Sequence, residues 1–370
     1  MPTAPQQLPP AASATSGGPA PFTSQHTSNF PEILEQLGIS LVVSTYQAGK
    51  LIIVRPDGAA LNTHFRDFPS PMGVAYDPAG GRLAVGTRHA VWEFRNHPMA
   101  APKLEPAGRC DAAFLPTRCQ FTGDIRIHEI AWIDGEIWAV NTRFSCLSTF
   151  DSTHSFVPRW RPPFISGLSP DDRCHLNGMA VVDGRIRFLT CLGQTDAPAG
   201  WRANKASGGC LLDYPSGEVV LSGLSMPHSP RRHMDKFWIL ESGIGSLSTF
   251  DPLAGKTEVF TKLPGFTRGI DFCGRLAFIG LSQVRESAIF SGIPLVDEMP
   301  ERTCGVWVVD LITGSTVAFL KFEGTVQEIF AVQVLPGITF PDLINEPGET
   351  LDSSFVLPDE ALRLVPPDLR

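Results

Sequence analysis

Charge is scarce in this chain and is not biased to the basic side. Only 18% of its 370 residues are charged, and 38 acidic against 30 basic side chains leave a net charge of -8. Binding to a phosphate backbone depends on clustered Lys and Arg, so no nucleic acid partner is expected. Uninterrupted apolar runs are also missing: none reaches the roughly 18 residues that a bilayer span requires, and no membrane partner is expected. Runs with helical periodicity are nearly absent, FPEILEQLGI ahead of the first strand being the main one, which excludes a helical solenoid. Three catalytic signatures are lacking. No GxSxG marks a hydrolase nucleophile elbow, no HExxH supplies a short-range pair of metal ligands, and the glycines of AGGR and GGC precede no phosphate-binding helix. The eight cysteines include no CxxC pair, and Cys146, Cys191 and Cys304 sit inside apolar runs, where a free thiol behaves as a small buried hydrophobe. A cytoplasmic, reducing setting fits them. Cys110 and Cys119 flank an expected outer strand, but with no sign of export, thiols are the expectation throughout.

What the chain does have is 34 glycines and 33 prolines punctuating short alternating runs, and those runs repeat. MGVAYDPAGGRLAVGTRHAVWEF from Met72, HEIAWIDGEIWAVNTRFSCLSTF from His128 and NGMAVVDGRIRFLTCLG from Asn177 each join an apolar strand to a second one through a tight Asp/Gly turn, which is a hairpin pattern. Looser copies start at Pro227 and Arg268, and a sixth opens at Gln327 and stops. A mean period of about 51 residues suits four-stranded propeller blades carrying loop insertions. The sixth opening supplies one strand at the C-terminal end, and SLVVSTY, KLIIVRP and ALNTHFRDF supply three at the other. The expected fold is therefore all-β, a six-bladed β-propeller over residues 39–336 whose last blade is closed by N- and C-terminal strands. Residues 1–38 read as a flexible Pro/Ala/Ser-rich leader with a short helix and without the basic start and apolar core of a secretory signal. Residues 337–370 read as a Pro-rich tail.

The combination STYQAGKLIIV, HEIAW, HLNGMA and MPHSPR resembles a bacterial family of conserved hypothetical proteins grouped as domain of unknown function 4915, over most of the chain from about Ile39 to Pro336. What the resemblance implies is a propeller-like protein; it assigns no activity and gives no residue a role.

Inner strands of a propeller begin near the axis on one face, and the loops joining second and third strands emerge on that face too. Aligning the six openings places Met72, His128, Asn177, His228, Arg268 and Gln327 in one slot, and Gly73, Glu129, Gly178, Ser229, Gly269 and Glu328 in the next. His175 lies two residues before Asn177, on the same side of its strand. Polar groups left unpaired inside a sheet cost about 1 to 3 kcal/mol each, so something must satisfy them. On one account His128, His175 and His228 hold one divalent metal ion (zinc, iron, manganese or calcium), leaving a position for water or substrate. Glu129, Glu328 and Arg268 are then the catalytic groups beside it. On the competing account the histidines hydrogen-bond neighbouring blades around a water-filled channel. The loops add Tyr46, Gln47, Arg88, Asn141, Arg143, Glu241 and Arg285, which together with Asn177 form the expected substrate-binding set. Guanidinium forks suit a carboxylate or phosphate; alternatively they are spent on Glu129, Glu241, Glu286 and Glu328 in ion pairs between blades.

Two functions from different classes follow. One is a metal-dependent lyase, hydrolase or isomerase acting on a small anionic or peptide substrate at the channel mouth. The other is a non-catalytic ring that binds a ligand or a protein with no bond made or broken.

Overall fold

Hairpins build this molecule, and two of its tightest turns are written Asp-Gly. Asp134 and Gly135 have φ of 49° and 80°, and Asp183 and Gly184 have 50° and 75°. Positive φ at both central residues is the type I′ geometry, whose twist matches that of the strands it joins. The structure, a computed structural model, describes residues 22–284 and 291–367. Within them six antiparallel four-stranded blades form a ring, two of them extended by a fifth strand. Blade 1 consists of Val74–Asp77, Arg82–Gly86, Ala90–Asn96 and Ala112–Phe121. Blade 2 consists of Ile127–Ile133, Glu136–Asn141, Cys146–Thr149 and Val157–Trp160, and blade 3 of Leu176–Val182, Arg185–Cys191, Gly209–Asp213 and Val219–Leu224. Pro227–His233, Lys236–Glu241, Ser246–Asp251 and Lys256–Lys262 make blade 4; Phe266–Cys273, Leu276–Ser282, Cys304–Asp310 and Thr316–Glu323 make blade 5.

Blade 6 unites the two ends of the chain, as the repeats imply. Its inner strand, Ala331–Pro336, runs antiparallel to Ile39–Thr45, with Ala331 opposite Ser44 and Pro336 opposite Ile39. Lys50–Asp57 and Ala60–Asp67 complete it outward.

The segments flanking the ring cover sheet edges, which would otherwise offer unpaired backbone groups to another chain. From Thr23 onward the segment read from sequence as a flexible leader is strand and helix: Thr23–His26 adds a fifth strand outside blade 5. The expected short helix, Phe30–Leu37, buries Phe30 and Leu34. In the tail, Pro341–Leu343 runs parallel to the outer strand of blade 1, opposite Ala112–Phe114.

The core is divided among the six interfaces between blades rather than gathered at one centre. Between blades 2 and 3, for example, Val140 and Leu147 meet Leu176, Leu189 and Leu212; between blades 5 and 6, Val306 and Leu320 meet Leu41, Val43 and Ile52. Hydroxyls at the ends of second strands add a repeated latch. Ser44 Oγ donates to Met72 O at 2.5 Å, Thr142 Oγ1 to Leu176 O at 2.5 Å, Ser242 Oγ to Thr267 O at 2.5 Å and Ser282 Oγ to Ile329 O at 3.0 Å. Each ties one blade to the backbone that opens the next. No helix among the described residues is long and apolar enough to cross a membrane. All eight cysteines, Cys110 and Cys119 included, carry free thiols.

Candidate axial site

The latches fix the register of the inner strands of blades 1, 3, 5 and 6. Residues immediately after the latched carbonyls of Met72, Leu176, Thr267 and Ile329 are Gly73, Asn177, Arg268 and Phe330, and these share a level with His128 and His228. Two positions of the sequence alignment are thereby corrected. Gly73 stands where Met72 was aligned, and Phe330 where Gln327 was. The cause lies in blade 6: its inner strand starts at Ala331, and the approach to it is clipped to blade 5 by Ser282 Oγ, which bonds both the N–H and the C=O of Ile329. Glu328 therefore sits ahead of the strand, not level with Glu129. The next row holds Gly178 and Gly269, where a Cβ would lie 3.0 Å from Ser229 N and 2.8 Å from the Ala331 Cα. Neighbouring inner strands approach too closely there for any side chain.

His128, Glu129, Asn177, His228, Arg268 and Phe330 surround a cavity of about 60 Å³ on the axis, which Gly73, Asp271 and Gln333 also line. That volume holds a few waters, whereas small-molecule pockets run to several hundred Å³. A ligand of any size must sit at the mouth.

Three histidines from three consecutive blades stand at that mouth. The His128 and His175 rings meet edge to face at 4.7 Å, and His175 packs at 4.4 Å on Trp201. His128 Nδ1 bonds the Arg126 carbonyl at 3.1 Å, His228 Nδ1 the Met226 carbonyl at 2.9 Å, and His175 Nδ1 the Asp172 carboxylate at 2.9 Å. A neutral ring that donates its Nδ1 proton carries its lone pair on Nε2. Burial, followed by the neighbouring His175 ring and the Arg268 guanidinium, holds His128 and His228 well below the ordinary histidine range, so both are neutral at pH 7.

The backbone delivering these rings is strained. Arg126, His175 and Met226, each two residues before a slot position in blades 2, 3 and 4, have left-handed φ of 52°, 50° and 46°. In blades 2 and 4 the left-handed residue is the one whose carbonyl takes the histidine Nδ1 proton. Asp172 and Ser229 are left-handed as well, at 51° and 48°. Such conformations cost on the order of 1 to 3 kcal/mol each and gather at functional sites.

Arg268 is 8% exposed, and its guanidinium stacks 3.5 Å over the Phe330 ring. It reaches Glu328 at 3.5 Å, and its buried Nε has no hydrogen-bond partner among the described residues. Burial lowers it to about 10, so it stays charged at neutral pH. Burial pushes the Glu328 carboxyl upward, against the pull of Arg268. Glu129 is fully engaged: it accepts from Met179 N at 2.9 Å and pairs with Arg231, joining blades 2, 3 and 4.

The remaining expected residues divide between blade interior and rim. Asn141 bonds Phe144 N and Ser148, Asn177 spans Pro227 O and Thr190, and Glu241 accepts from Ser225 N and Ser248, so all three are spent on holding strands and loops together. Arg88 and Arg143 share Asp124 at 3.7 and 2.9 Å on the rim. Tyr46 and Gln47 are exposed, Tyr46 lying 6.2 Å from Phe330 ring to ring. Arg285 and Glu286 lie outside the described residues. Asp172, Trp201 and Phe330 are site residues that the sequence reading passed over. Asp172 was legible as an acid three residues before His175 in a loop; Phe330 became visible only with the register of blade 6. No group of three or more His, Cys, Asp or Glu among the described residues is arranged to hold a metal ion.

Fold and site together define a six-bladed β-propeller with three histidines, a buried arginine and several left-handed residues at one mouth of its axis. The chain belongs to the family described as Domain of unknown function (DUF4915), whose model matches residues 28–344, in agreement with the motifs that resembled it. No curated protein matches the chain. Among solved structures, it is similar to a chain from the crystal structure of a nidogen/laminin complex at 9% identity, covering 81% of this chain and 99% of that one with a TM-score of 0.49. A likeness so distant says nothing of what this chain binds.

Proposed function

We propose that the axial mouth binds a small anionic molecule, a carboxylate or a phosphate, on the Arg268 guanidinium, with His128, His175 and His228 as the polar wall around it. The observation that carries this reading is Arg268 itself: a buried cation stacked on Phe330, with an unpartnered Nε. The acid it pairs with, Glu328, is driven by burial toward its neutral form. A buried charge without full partners is destabilising unless something else supplies them, and an anion meets that need. Neutral imidazoles favour it too, since they add donors and acceptors without a competing charge. Chemistry on such a ligand runs through His175, whose ring Asp172 orients while Arg126 holds Asp172 at 3.0 Å. That is the base-and-orienter arrangement of proton-transfer sites.

The test is calorimetric titration of the full chain with phosphate, succinate and citrate, repeated on Arg268→Met. Saturable binding of at least one of these to wild type, weakened about ten-fold or more in the variant, is the expected result. Equal affinity in the two proteins, or heat of dilution alone for all three anions, overturns it.

A second reading, a divalent cation on the three Nε2 atoms, requires the rings to draw together from the positions they hold here; what favours it is the Nδ1 contacts, because metal-bound histidines characteristically give their other N–H to a carbonyl or carboxylate. Metal-assisted lyase, hydrolase or isomerase chemistry belongs to this reading, whereas the anion site serves a binding protein equally well. About one equivalent of zinc, iron, manganese or calcium by plasma mass spectrometry, lost in a folded His128→Ala/His228→Ala protein, supports it. Protein that is metal-free and cannot be loaded removes it.

A further inference from the structure

Away from the axis, blade 3 holds a group of thiols at its boundary with blade 2. Cys191 ends the strand Arg185–Cys191 and stands directly opposite Cys210 on Gly209–Asp213. Their sulfurs are 3.0 Å apart, closer than two unbonded sulfurs rest in van der Waals contact. Directly paired residues on antiparallel strands have Cα atoms about 4.5 to 5.5 Å apart, inside the roughly 4.4 to 6.8 Å that a disulfide spans, so a bond between them requires no movement of the strands. Cys174 touches Cys191 as a third thiol. All three are buried in the apolar layer with Val140, Leu147 and Leu189. The two strands are joined by the segment 192–208, which carries Trp201 to the face of His175.

We propose that Cys191 and Cys210 form a disulfide that staples the two middle strands of blade 3 at the root of this insertion. The oxidant is a small peroxide. One thiolate attacks the O–O bond, taking oxygen to become a sulfenic acid and releasing one water; the second thiol attacks that sulfur, the S–S bond forms, and a second water leaves. Two thiols and one peroxide thus give one disulfide and two waters, the sulfurs losing the two electrons that the peroxide gains. Contact with Cys174 and Cys210, together with burial, pushes the Cys191 thiol far upward, and the thiolate is the reactive form. The folded pair therefore exchanges slowly in both directions: the bond is made while the chain folds and is then screened from reductant. The staple stands apart from the anion site and does not depend on it.

The full-length protein is refolded with and without hydrogen peroxide, denatured in N-ethylmaleimide, weighed and mapped by proteolysis. Peroxide should leave six adducts, the eight cysteines less two, with a linked peptide containing Cys191 and Cys210, and dithiothreitol should restore all eight. The stapled protein should melt higher than the reduced one. Cys191→Ser/Cys210→Ser should take six adducts under both conditions. Eight adducts on peroxide-refolded wild type, or a link between other cysteines, overturns the proposal; the wild-type count and map decide it even where the variant does not fold.

Discussion

His128 and His228 enter the folded state without their protons, since burial, the Arg268 guanidinium and the neighbouring His175 ring hold both rings well below their ordinary value. Unfolding returns each to about 6.5. Below that pH the unfolded chain binds more protons than the folded one, so the stability these rings leave intact near neutrality is lost as pH falls toward their folded values. The slope is at most about 1.4 kcal/mol per pH unit for each ring. Glu328, Glu241 and Asp271, which burial pushes upward, act in the opposite sense, so the effect is read as a difference between proteins. In urea unfolding, the stability of wild type relative to His128→Gln/His228→Gln should decline by up to about 2.7 kcal/mol per unit below pH 6.5 and stay level above pH 7. A difference that is level across both ranges means that folding leaves the proton binding of the two rings unchanged. Arg268 poses the complementary case. Its charge persists at neutral pH, so binding of succinate, which is fully ionised over this range, should be insensitive to pH from about 7 to 9, measurable in the same calorimetric titration.

At the level of strands and loops, the hydroxyl latches fix the register at four of the six boundaries between blades. Thr142 and the Leu176 carbonyl are both shut away from water, so Thr142→Val keeps the shape while leaving the carbonyl without its partner. The expected loss is about 1 to 3 kcal/mol in chemical denaturation; a loss under a few tenths would mean that the latch accompanies the register without enforcing it. The latches also explain what sequence could and could not show. Asp134-Gly135 and Asp183-Gly184 announce their hairpins locally, because a type I′ turn depends on the turn residues alone. The partner of Ser282 depends instead on how blade 5 meets blade 6, some 47 residues along the chain, and nothing local in GLSQV encodes it. That is why the alignment placed His128, Asn177, His228 and Arg268 at one level and yet put Gln327 where Phe330 stands. The same reasoning covers Glu129, Asn141 and Asn177: their polarity was visible, but their hydrogen-bond partners lie on other strands or loops, and those partners determine that these side chains are occupied.

For the molecule as a whole, stability rests on closure. Each blade buries its two faces against two neighbours, and the ring has six apolar interfaces only because Ala331–Pro336 returns to pair with Ile39–Thr45. That strand buries Val332, Val334 and Leu335 to 5%, 3% and 0% exposure and stands between blade 5 and blade 1. Without it, blade 6 lacks its inner strand, two interfaces open together, and the edge of Ile39–Thr45 is left unpaired where other chains can add to it. The parallel strand Pro341–Leu343 lies outside blade 1 and contributes less, chiefly Leu343 in the interface with blade 6 and Asp342 bonded to Arg66 at 2.8 and 2.9 Å. Three shortened chains separate these contributions. A chain ending at residue 346 should melt cooperatively near the full-length temperature, and one ending at 338 should still melt cooperatively but several degrees lower. A chain ending at 329 should show no cooperative transition by circular dichroism and should aggregate. A cooperative melt from that last chain would mean that five blades and an incomplete sixth hold together unaided, and the fastening of the two chain ends would then serve the axial mouth, through the placement of Phe330 over Arg268, rather than the fold.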